Sequence, residues 1–134
     1  MPKTLVILYQ EKKNEVPVLE WLRALAKSNA KAHVKGRDVI RLLEDFGHEL
    51  RRPHADLLRD GIYELRFKLG RVNYRILYFF HVRLAAILSS GFTKEAEVPV
   101  VEIERALERK KKFLANPEAH TYLGTESKGE TVPT

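Results

Sequence analysis

The apolar residues of this chain change their period twice, and that limits the folds open to it. They recur every three or four residues between positions 17 and 46, every second residue between 61 and 92, and every three or four again from position 100. A period near 3.6 belongs to amphipathic helices, and a period of two to strands. The chain therefore reads as a small α+β domain with a mostly antiparallel sheet and helices packed against it.

The elements follow from that pattern. Residues 4–9 form a short β-branched and aliphatic first strand. From Pro17, the residues Val18, Leu22, Leu25 and Ala26, with Leu19 and Trp21 at the margins, mark a first helix ending near Asn29. Val39, Leu42, Leu43 and Phe46 mark a second over 32–46, weakened in its first turn by Gly36 and stopped at Gly47. Residues 53–60 read as a polar connection. Strands are expected over 61–68, 71–80 and 82–92, and a last helix after Pro99 carries Val100, Ile103, Leu107 and Leu114 on one face. The expected order is β-α-α-β-β-β-α. Residues 1–115 make one domain, and the polar residues 116–134 read as a disordered tail.

Composition narrows the function. Zero cysteines remove disulfides, thiolate metal sites and cysteine nucleophiles, and suit a reducing, cytoplasmic compartment. The longest apolar runs, 5–9, 76–80 and 84–88, are five residues each, so neither a membrane span nor a signal peptide is expected. There are 24 Lys and Arg against 18 Asp and Glu. Residues 116–134 hold one lysine and three glutamates, so the basic excess sits on the folded part, where it attracts polyanions.

Alternation in the central hairpin puts Tyr63, Leu65 and Phe67 on one face and Glu64, Arg66 and Lys68 on the other. The next strand gives Val72, Tyr74, Ile76 and Tyr78 opposite Arg71, Asn73 and Arg75. A two-residue Leu69-Gly70 turn would pair Lys68 with Arg71, Arg66 with Asn73 and Glu64 with Arg75. Two readings fit the resulting cationic face. It is either a solvated outer surface on which Glu64 pairs with Arg75, or a cradle whose guanidinium forks bind RNA phosphates.

Other constellations are weaker. No two histidines fall at the helical spacing of a metal site, Ser89-Ser90-Gly91 lacks the glycine before serine that a nucleophile elbow needs, and no glycine-rich phosphate loop is present. No metal or cofactor is expected. Trp21, Leu22 and Leu25 could form a partner-binding face, although such spacing more often marks core. Strand parity places Tyr74 and Tyr78 in the buried set, away from base stacking.

The stretch from Leu57 to Arg66 (Leu-Leu-Arg-Asp-Gly-Ile-Tyr-Glu-Leu-Arg), then Arg71-Val72-Asn73-Tyr74-Arg75-Ile76-Leu77-Tyr78-Phe79, then Gly91-Phe92-Thr93-Lys94, resembles the RelE/HigB superfamily of toxins, in particular its phage-derived HigB-like branch. The resemblance covers about residues 57–113 and agrees with that family's element order. It implies the toxin of a type II toxin–antitoxin pair, a ribosome-dependent mRNA endonuclease that uses the 2′-hydroxyl as nucleophile and needs no metal. A helix-turn-helix antitoxin of the HigA kind is the implied protein partner, and no membrane is involved.

By motif position, Arg66, Arg75 and Lys94 are the implied transition-state and phosphate contacts. Lys68, Arg71 and Asn73 are implied RNA-positioning groups, and His54 is a candidate for proton transfer, because some relatives use histidines in this region. The chain departs from the family pattern at Glu95, where a second lysine is frequent, and at Glu64, near catalytic lysines of the RelE branch. Two alternatives accompany this reading. One is a non-catalytic, ParE-like toxin of the same fold that inhibits gyrase, and the other a degenerate toxin-like RNA-binding protein.

Overall fold

The computed structural model describes residues 3–82, 85–93 and 98–122. Strand β1 (Leu5–Leu8) is followed by helices α1 (Pro17–Ser28) and α2 (Ala30–Phe46), four strands β2 (Ala55–Arg59), β3 (Ile62–Leu69), β4 (Val72–His81) and β5 (Ala85–Thr93), and helix α3 (Val100–Ala115). The strands form one sheet in the order β1-β5-β4-β3-β2, antiparallel throughout except for the β1–β5 pair. This is the expected α+β class.

Local chemistry explains the helix ends. Pro17 supplies the fixed φ of a first helical turn, and the Val16 N–H donates to the Glu20 carboxylate at 3.2 Å. The Asn29 side chain accepts from the Ala32 N–H at 3.2 Å and starts α2 two residues earlier than the apolar pattern indicates. At the other end Gly47 adopts φ +51°, as a helix-terminating glycine does. Gly36 lies inside α2 because the helix meets the sheet there: a Cβ would stand 3.0 Å from Phe67 Cζ.

Two apolar layers result. Leu65, Phe67, Tyr74, Ile76 and Tyr78 pack under α1 and α2, with Tyr63, Val72 and Trp21 at the border, so the apolar sets of the hairpin do share one face. The opposite face is covered by α3, with Phe79, Leu77, Ile87 and Ile62 packed around Ala106 and Phe113. The buried stripe of α3 is thus centred on Ala106 and Phe113, whereas Val100 and Leu114 are exposed.

Three expectations need correction. Residues 53–60 are not merely a connection: they contain β2, so the order is β-α-α-β-β-β-β-α. Its sequence hides it because an edge strand is held by backbone pairing to β3 and leaves Leu57 in solvent. The hairpin turns at Gly70-Arg71, one residue later than Leu69-Gly70, with Gly70 at φ +63° as its first turn residue. Arg66 therefore faces Arg75 and Lys68 faces Asn73, while the division into faces is unchanged.

The third correction concerns the segment read as a disordered tail. Its first residues pack: Glu118–His120 form a short 3₁₀ turn, Tyr122 N–H donates to Leu8 O at 3.0 Å, and the His120 ring stacks on Tyr9 at 5.2 Å. Residues 123–134 lie outside the described residues.

Candidate RNA-binding site

Strand β2 pairs with β3 only from Arg59↔Ile62 to Ala55↔Leu65, and one further backbone bond joins Arg66 N to His54 O at 2.7 Å. Beyond that point the outer edge of β3 lies open to α2. A cavity of about 480 Å³ occupies the gap. Helix α2 contributes Lys35, Asp38, Val39 and Leu42; the turn before β2 contributes Pro53 and His54; the hairpin contributes Arg66, Phe67, Lys68, Asn73 and Arg75.

Five of the seven residues singled out by the sequence, Arg66, Arg75, His54, Lys68 and Asn73, meet in this one cavity. Arg71 is exposed at the hairpin tip and does not line it. Lys94, and Glu95 beside it, lie outside the described residues. Lys35 and Asp38 carried no sequence signal, because the polar face of a helix looks alike whether it borders solvent or a cavity.

The arginines are not on a wet surface. Arg66 and Arg75 occupy directly opposed positions, where like charges repel. Glu64, only 3% exposed, resolves the conflict. Arg75 Nη1 donates to Glu64 Oε1 at 2.6 Å and Oε2 at 3.0 Å, and Arg66 Nε stands 3.5 Å from Oε2. The pairing of Glu64 with Arg75 in the solvated reading therefore exists, but buried. Arg66 is the more accessible of the two guanidinium groups, with its side chain 32% exposed against 10% for Arg75.

Of the five histidines, His54 alone lines the cavity. Its backbone is fixed at both ends, since its N–H donates to Arg51 O at 3.0 Å and its carbonyl accepts from Arg66. Its side chain is exposed. The others are engaged elsewhere: His48 stacks on Phe80 at 3.6 Å, His81 meets Phe113 edge-on, and His120 stacks on Tyr9. Burial, with the Arg37 charge second, pushes His33 below its ordinary range. Four cations and the Asp38 carboxylate thus border an apolar floor of Val39, Leu42 and Phe67 beside one exposed imidazole. Such a site can hold a phosphodiester and stabilise added negative charge on it.

The sheet order and the helices on both faces are consistent with a RelE-like α+β fold. The chain belongs to the phage-derived Gp49-like protein family (DUF891), whose family model matches residues 20–111. That span includes most of α1, all of α2, the whole hairpin and most of α3. No curated protein matches the chain. Among the described residues, no helix is long and apolar enough to cross a membrane.

Proposed function

We infer that this protein is the toxin of a type II toxin–antitoxin pair, of the phage-derived HigB-like branch of the RelE/HigB superfamily, and that it cleaves mRNA on the ribosome in the cytoplasm. The observation that carries this reading is the gathering of Arg66, Lys68, Arg75, Lys35 and His54 around one cavity in a chain of the Gp49-like family.

In this reading the RNA 2′-oxygen attacks the adjacent phosphorus. Its proton passes to the His54 imidazole, and the bond to the 5′ oxygen breaks. The products are a 2′,3′-cyclic phosphate and a 5′-hydroxyl, the departing oxygen taking up a proton. Arg66, the more exposed guanidinium, meets the charge that builds on the phosphoryl oxygens. Arg75 supports it from the cavity wall, and Lys94 completes the set by family position. Lys68, Arg71 and Asn73 hold flanking phosphate and sugar groups, which sets register without carrying sequence information. A helix-turn-helix antitoxin is the proposed protein partner.

The test is primer extension on a defined mRNA in a purified translation system, with and without ribosomes. Wild-type protein is expected to give ribosome-dependent cuts, and Arg66→Ala to reduce them on the order of 10²–10³-fold, the usual loss for one transition-state donor. Intact mRNA together with growth arrest in cells would reject nuclease activity in favour of the gyrase-inhibiting or binding-only alternatives.

A further inference from the structure

Glu64 is the one carboxylate buried in the cationic face of the hairpin, and phosphate binding alone does not explain it. A negative charge among the cations weakens their hold on an anion. Stability explains it poorly too, because a buried ion pair loses in desolvation much of what it gains in attraction, and an apolar replacement of similar volume is often as stable. What the carboxylate does achieve is order. It receives two hydrogen bonds from Arg75 Nη1 at 2.6 and 3.0 Å and lies in ion-pair reach of Arg66 Nε at 3.5 Å, so one anion stands between two opposed guanidinium groups.

Building on the nuclease reading above, we propose that Glu64 is a positioning residue that fixes the orientation of Arg66 and Arg75 for the transition state at the expense of ground-state RNA affinity. The side-chain exposures fit this division of labour. Glu64 and Arg75 are 4% and 10% exposed and form the rigid base, whereas Arg66, at 32%, presents its outer edge to the cavity. Long arginine side chains lose much rotamer freedom when they bind a substrate. A carboxylate that has already restricted them leaves less to lose during the reaction.

This role predicts an unusual split. Glu64→Gln keeps the volume but removes the charge and weakens the hold on both guanidinium groups. It should bind an uncleavable 2′-deoxy oligonucleotide as tightly as wild type or up to several-fold tighter, yet cleave ribosome-bound mRNA about 10²-fold more slowly once bound. A residue that serves stability alone would lower binding and cleavage together with the folded fraction, and one that only repels phosphate would raise both when neutralised. Glu64→Asp retains the charge on a shorter arm and guards against a variant that does not fold. It should cleave more slowly with unchanged affinity.

Ordering is read separately in free protein from the heteronuclear NOE of the Arg66 and Arg75 Nε–H groups, expected to be high in wild type and lower in Glu64→Gln. Unchanged NOE values, or cleavage by folded Glu64→Gln at the wild-type rate, overturn the proposal. Wild-type protein that orders both arginines through Glu64 but cuts no mRNA would instead reject the nuclease reading, and with it the transition-state half of this one, leaving the ordering itself established.

Discussion

Single residues set the tolerances of this fold. Gly91 in β5 runs beneath Trp21, and a Cβ there would lie 2.3 Å from the indole Cε3. Trp21 in turn packs against Phe67 and Tyr74 at ring distances of 6.2 and 6.4 Å. Gly91→Ala is therefore expected to cost about 1–3 kcal/mol by overpacking. Because Trp21 is the only tryptophan, a change in its emission should accompany the lower melting temperature. The exposed cations respond differently. Lys68→Ala and Arg71→Ala should each weaken RNA binding almost independently of sequence and reduce the salt-dependence slope by about 1, as titrations at several salt concentrations would show. At this scale the motif and the strand period single out Arg66, Arg75 and Asn73, which line one cavity. They could not indicate Lys35 and Asp38, which reach the cavity only because α2 crosses the open edge of β3.

At the level of elements, α3 is tied to the first strand by charge as well as by packing. The Glu11 carboxylate, just after β1, meets Arg109 Nε at 3.4 Å and bonds Lys112. Burial opposes its ionisation, but the hydrogen bond and charge of Lys112 and the charge of Arg109 outweigh that and hold it below the ordinary carboxylate range. A carboxylate with a depressed folded-state pKa stabilises the protein above its unfolded pKa and loses that contribution as pH falls through the folded value. Stability should thus drop below about pH 4.5, and denaturant titrations of Glu11→Gln should show a shallower acid loss and, at pH 7, a deficit of about 1 kcal/mol or less. Phe113→Ala, which empties the centre of the same interface, should cost about 3–5 kcal/mol. The sequence pattern revealed α1, α2 and β3 because each has one regular buried face, and β4 and β5 because their apolar runs are buried on both sides of the sheet. It did not reveal β2, whose hold on the sheet is main-chain pairing, and of the α3 stripe Val100, Ile103, Leu107 and Leu114 only Ile103 and Leu107 pack inward, beside the fully buried Ala106 and Phe113.

Across the whole molecule, sheet order and chain order disagree at one place. Strands β2 to β5 follow one another as neighbours, but β1, the first to be made, pairs in parallel with β5, the last: Leu5 lies beside Ala85 and Leu8 beside Leu88. Pairings so distant along the chain pay loop-closure entropy before they gain contacts, and they slow folding. Nascent chains stalled before residue 85 has emerged should therefore be cut readily by protease, and chains tethered through a C-terminal linker so that residue 122 has emerged should resist it. For a protein proposed to act on ribosomes, the parallel strand works as a timer. The chain cannot complete its sheet until β5 has left the ribosome that makes it, so β1 waits for its strand partner while both early helices and the three intervening strands are made.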